Sequence, residues 1–201
     1  MTKKMQRMRY LLIICVLIIG CGQQDESYYY DEIDPVVYQY DTPDSYIIDD
    51  YKDANKTYKG DRNLCWAAAG SNLVASYAKS DENLLFNDIK DNFEDAPNNV
   101  CTAIDYFGYT NVALFEYEYF DKFIKFCISN DQPVYISVAK SYTNINHAMT
   151  VYGYDTRTSG FFIYITDSND HRKKLVEKRF DSLDITASLA LIKEYTQNEK
   201  L

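Results

Sequence analysis

The stretch Asn63-Leu64-Cys65-Trp66-Ala67-Ala68-Ala69-Gly70-Ser71-Asn72-Leu73 decides how the chain is read. Asn63 is of a type that caps helices, and it precedes small apolar residues followed by Leu73, Val74 and Tyr77 at helical spacing. The pattern predicts a helix over about 64–79, with Cys65 one or two residues inside its start. Unpaired backbone N–H groups and the helix dipole favour a thiolate there, so Cys65 is the candidate nucleophile.

Downstream, weaker helical patterns occupy about 84–93, 98–107 and 119–129. After Gln132-Pro133 the apolar residues take the spacing of strands, at 134–139, 148–154, 161–166, 174–180 and 187–195. Helices first and an antiparallel sheet second define an α+β arrangement.

A thiolate nucleophile needs a base, and the chain holds only two histidines. His147 opens the strand His147-Ala148-Met149-Thr150-Val151-Tyr152-Gly153-Tyr154, where a small neighbour lets something bulky approach the ring. His171 lies in the charged turn Asp170-His171-Arg172-Lys173 and reads as a solvated residue. Asp167 ends the next strand, and a tight loop between two antiparallel strands would return it beside His147, where a carboxylate can orient an imidazole. Cys101 and Cys127 fall within apolar helical patterns and read as buried small hydrophobes, with a disulfide between them left open. Two histidines and scattered cysteines offer no metal-ligand spacing, and no glycine-rich phosphate loop occurs, so no cofactor is expected.

Upstream, residues 1–20 place Lys3, Lys4, Arg7 and Arg9 before the apolar run 11–19. Nine apolar residues are too few to span a bilayer, which takes about 20 in a helix, yet they fit a secretory leader. Ile18-Ile19-Gly20-Cys21 resembles a bacterial lipobox, which implies cleavage before Cys21, lipidation of that thiol and anchoring in the cell envelope outside the cytoplasm. Residues 21–53 hold ten acids and many tyrosines without sustained periodicity, which reads as a tether, with 54–201 as the catalytic domain. The whole chain of 201 residues carries a formal charge of −9, and loss of the four leader cations would take the mature form to −13. Such a balance argues against gripping nucleic acid, which requires a basic face; oligomeric state is not legible.

The segments Asn55-Lys56-Thr57-Tyr58-Lys59-Gly60-Asp61-Arg62-Asn63-Leu64-Cys65, Ser141-Tyr142-Thr143-Asn144-Ile145-Asn146-His147 and Ile163-Tyr164-Ile165-Thr166-Asp167-Ser168 resemble the IdeS/Mac cysteine endopeptidases, secreted bacterial enzymes that cut immunoglobulin G. The resemblance implies a papain-like fold and a Cys65, His147, Asp167 triad. It also implies Lys56 as oxyanion donor beside the Cys65 N–H, and a protein substrate such as host immunoglobulin. Lys59, six residues before Cys65, takes the spacing at which papain-like enzymes carry a Gln, so either lysine could supply positive hydrogen-bonding charge to an oxyanion. Asn169 stands where the family tends to carry a second Asp, Trp66 follows the nucleophile as in papain itself, and the segment from Cys65 to His147 is shorter than in the immunoglobulin-cutting members. The same triad also serves deamidases and acyltransferases, and a protease scaffold can persist as a non-catalytic surface binding lipoprotein.

Overall fold

Small side chains allow one helix to run through the interior. In the computed structural model, which describes residues 42–57, 61–93, 99–109, 112–115, 120–140, 143–170 and 172–191, α1 (Cys65–Ala78) is buried at every position from Trp66 to Ser76. On one side Trp66, Ala67 and Ala68 meet Phe86 and Ile89 of α2 (Glu82–Phe93) and Ala103 of α3 (Val100–Tyr106). On the other, Ala69, Leu73 and Val74 pack against Tyr135, Ala148 and Leu189 of the sheet. A helix covered all round needs small or apolar residues on every face, which is why its sequence shows no polar stripe and its few polar residues, Ser71, Asn72 and Ser76, are themselves buried.

The start of α1 differs from expectation. Leu64, not Asn63, is the cap, and no side-chain capping bond is made. The cause lies at Asp61, whose buried carboxylate accepts from Thr57 N–H at 2.6 Å and Thr57 Oγ1 at 2.7 Å and pairs with Lys90 at 2.5 Å. Drawing Asp61 inward forms a turn closed by Leu64 N–H to Asp61 O at 3.2 Å, leaves Asn63 at the surface, and makes Cys65 the first helical residue.

The described residues form a seven-stranded antiparallel sheet. It comprises β1 (Ser45–Ile47), β2 (Val112–Phe115), β3 (Val134–Lys140), β4 (Thr143–Arg157), β5 (Gly160–Thr166), β6 (Val176–Arg179) and β7 (Ile185–Leu191) in the order β2-β7-β3-β4-β5-β6, with β1 on β4. Alternation gives each strand two faces. Tyr135 and Ala148 face α1, whereas Ile136 and Met149 face α4 (Phe120–Ser129), whose Phe123, Ile124, Cys127 and Ile128 complete the second core. The α+β arrangement is as expected from the sequence.

Two strands are not foreseen. β2 is four residues long, too short to show a period. β1 falls inside the segment assigned to the tether, and this boundary needs correction: Ser45–Ile47 pairs with Gly153 to Asp155, and Ile48 N–H bonds Tyr152 O at 2.8 Å. Its register depends on Gly153, where a Cβ would stand 2.9 Å from Ile47 Cγ1 and 3.0 Å from Tyr46 O. Three residues flanked by acids carry no legible pattern when their partner lies far along the chain. The leader, Cys21, the tether as far as 41 and positions 192–195 of the last expected strand lie outside the described residues. No helix among the described residues is long and apolar enough to cross a membrane.

The tightest helix contact is testable. A Cβ at Gly70 would fall 2.5 Å from Ala103 Cβ, an atom fixed to its own backbone and unable to rotate away. Alanine gains about 1 kcal/mol of helix propensity over glycine, but overpacking costs about 1–3 kcal/mol. Gly70→Ala is expected to lower Tm, and a double-mutant cycle with Ala103→Gly to show strong coupling. A Gly70→Ala protein as stable as wild type would mean that α3 yields.

Candidate active site

Four segments converge at the start of α1. The helix supplies Cys65 at its first position, where the backbone N–H has no intrahelical acceptor. β4 supplies His147, and Thr150↔Thr166 pairing with β5 returns Asp167 beside it. His147 Nε2 lies 2.7 Å from Asp167 Oδ1, so Nδ1 is the nitrogen left to face the sulfur. The extended segment before α1 supplies Lys56, which is buried and donates through Nζ to Asn169 Oδ1 at 2.6 Å.

Asn169 ties the site together. Its backbone N–H donates to Asp167 Oδ1 at 2.9 Å, and its Nδ2 stands 3.2 Å from His147 Nε2 and 3.4 Å from Nδ1. Near-equal reach to both ring nitrogens puts the amide over the ring face, because an in-plane approach would drive it into the carbon between them. The carbonyl end holds the Lys56 ammonium, while the amide end lies on the imidazole.

The electrostatics follow from this packing. Burial alone would push the Cys65 thiol up, but hydrogen bonds from His147 and the Ala148 backbone, and the charges of His147 and Lys56, bring it below its ordinary value. For His147 burial opposes the charged form, yet the hydrogen bonds and charges of Asp167 and Cys65 raise it to about 9. Asp167, which burial would raise, is held low by its hydrogen bond to His147. All three shifts favour one state, a thiolate beside an imidazolium beside a carboxylate. Cys127 goes the other way, since burial raises its thiol with nothing to offset it.

The structure therefore brings Cys65, His147, Asp167 and Lys56 together. Lys59 and His171 lie outside the described residues. No disulfide joins Cys101 and Cys127: Cys127 is buried in the α4 core, whereas Cys101 packs in the α1 cluster on the opposite face of the sheet. No group of three or more metal-ligating side chains is found among the described residues. Sequence reasoning missed the Ala148 N–H as a partner of the sulfur, since any residue there supplies the same amide. It also missed Asn169 as a link, for which the signal was its position two residues beyond Asp167 in a turn.

A thiol on a buried helix start, facing a histidine and an acid carried by an antiparallel sheet, defines the papain-like class, and the fold is that of a papain-like cysteine protease. Residues 35–198 match the Peptidase_C39 like family, and the chain belongs to that family. Among solved structures, the proform of the Amb a 11 cysteine protease, a major ragweed pollen allergen, is similar with a TM-score of 0.54 at 12% identity, over 78% of this chain and 67% of that one. At that identity the likeness concerns fold. Among curated proteins, no significant match is found.

The charge state predicts a reactivity profile. Cys65 should react with iodoacetamide well below the pH at which an ordinary thiol does. Its rate should fall only as pH drops through the depressed thiol value, and it should persist above about 9, where His147 loses its proton but the thiolate remains. His147→Ala should slow alkylation near pH 6 at least about tenfold by returning Cys65 toward the ordinary thiol range. Peptide mapping by mass spectrometry reads each thiol separately, and equal rates for Cys65 and Cys127 at pH 6 would contradict the assignment.

Proposed function

We propose that the protein is a cysteine endopeptidase acting through Cys65, His147 and Asp167, with Lys56 and the Cys65 N–H as the oxyanion hole. The observation that carries this reading is the continuous contact from thiol to imidazole to carboxylate, with the thiol lowered despite its burial. The Cys65 thiolate attacks a peptide carbonyl carbon and negative charge moves to the carbonyl oxygen. The Cys65 N–H and Lys56 stabilise that charge, the lysine through the Nζ that Asn169 Oδ1 orients. As the C–N bond breaks, His147 gives its proton to the leaving amine, leaving a thioester. The neutral ring then takes a proton from water, the resulting hydroxide equivalent displaces the sulfur, and the acid product departs.

The proposal extends to place and substrate. The basic leader and the Gly20-Cys21 junction support export and lipidation at Cys21, which would hold the domain at the cell envelope outside the cytoplasm through its lipid. The segments around Lys56, His147 and Asp167 that resemble the IdeS/Mac enzymes support a protein substrate, with host immunoglobulin the first to try.

The test is incubation of the mature protein with whole serum, reading new N-termini by mass spectrometry. Wild type should generate discrete cleavages, and Cys65→Ala none. Lys56→Met should lower kcat about 10²–10³-fold with KM little changed, because its donor acts on charge that develops in the transition state. Cleavage by Cys65→Ala at the wild-type rate would sink the assignment. Cleavages confined to other serum proteins would retain the peptidase and discard the immunoglobulin substrate.

A further inference from the structure

We infer that Asn72 is the positioning residue that holds the four functional segments in register, an inference that rests on the peptidase reading of the site. Asn72 lies seven residues after Cys65, two turns along the same face of α1, and is buried amid apolar neighbours. A buried primary amide must satisfy both its ends. Its Oδ1 accepts from Ala54 N–H at 2.9 Å, and Ala54 O in turn accepts from Lys56 N–H at 3.0 Å. Its Nδ2 reaches Thr166 Oγ1 at 3.3 Å and Thr150 Oγ1 at 3.5 Å. Thr166 immediately precedes Asp167, Thr150 follows His147 on β4, and the two threonines are register partners. One side chain on the Cys65 helix therefore touches the segments that carry Lys56, His147 and Asp167.

The backbone of the same residue adds a second tie. Asn72 O accepts from Ser76 Oγ at 2.8 Å and from the Tyr152 hydroxyl at 3.4 Å, and Ser76 Oγ meets that hydroxyl at 3.1 Å. An apolar residue of similar size would fill the space but leave Ala54 N–H without this acceptor and the threonines without their bridge to the helix. Asn72 touches neither sulfur nor imidazole, so its effect on chemistry runs through placement. A small slide of α1 along the sheet separates Cys65 from His147, and the thiol returns toward its neutral form.

The experiment compares Asn72→Ala, Thr166→Val and Thr166→Ser with Ile128→Val, a core truncation on the opposite face of the sheet. Each is measured for thermal unfolding, for the pH profile of Cys65 alkylation by iodoacetamide, and for kcat and KM on a serum protein cleaved by wild type. Asn72→Ala should slow alkylation near pH 6 about tenfold or more and lower kcat about 10–100-fold with KM within about twofold, since misplacement by about 1 Å costs rate on that scale. Thr166→Val should shift both in the same direction by a smaller factor, Thr166→Ser should restore them by keeping the hydroxyl, and Ile128→Val should lower Tm with the profile unchanged. Should Asn72→Ala fail to fold, Thr166→Val against Thr166→Ser decides the matter. Wild-type profiles in Thr166→Val, and in Asn72→Ala where it folds, overturn the role of Asn72 alone. A wild-type Cys65 that alkylates like an ordinary thiol overturns the peptidase reading and this inference with it.

Discussion

A negative sulfur in a half-buried position is the constraint on which the rest of the structure depends. Burial opposes any thiolate, and here it is the largest single influence on Cys65. The charge is held because strand β4 delivers the His147 imidazole and the Ala148 N–H to the sulfur, the extended segment brings the Lys56 charge, and the turn after β5 brings Asp167 to keep the imidazole charged. None of these is adequate alone, since the amides at a helix start and a neighbouring imidazolium each supply only part of what burial removes. The fold therefore has to bring distant segments within hydrogen-bond reach and keep them there.

Burying α1 on every side is how it does so. A helix clasped between two other helices and a sheet cannot tilt without disturbing Ala103 on one side or Tyr135 and Ala148 on the other. Ala148 has a double role, because its side chain packs against the helix while its N–H bonds the sulfur. The long strand β4 is the common reference: it pairs with β3, β5 and β1, so every strand carrying or steadying a functional residue is registered against it.

How much of this the sequence discloses depends on whether a feature is local. The Cys65 helix is legible because small and apolar residues recur along its fourteen positions, Asp167 because it directly follows a strand with its own period, and His147 because it leads into an apolar strand pattern, although β4 itself begins upstream at Thr143. Lys56 came from a motif resemblance, as no periodicity marks an extended segment. β1 is invisible, since its three residues gain meaning only from Gly153 across the sheet. The capping of α1 at Leu64 is equally illegible: Asn63 has the right local chemistry, but the buried carboxylate of Asp61 re-aims the turn, and tertiary contact overrides propensity. The links made by Asn169 and Asn72 belong to the same class, being side-chain bonds between segments that approach only after folding.

Charge balance explains why an amide at position 169 suits this site. The thiolate and Asp167 are negative, His147 and Lys56 positive, so the four functional groups sum to zero in surroundings where net charge is costly. Asp53, which feels Asp167 and Asp170, is pushed up to about 7 by burial and so adds only part of a negative charge near neutrality. An aspartate at 169 would make the cluster negative and bind Lys56 as an ion pair, spending on a resident carboxylate the charge an oxyanion would need. Asn169 instead offers an oxygen to Lys56 and an amide to the imidazole with no charge of its own. Asn169 thus orients the ammonium without adding a charge that would neutralise it, which suits a group meant to stabilise an oxygen that becomes negative during reaction.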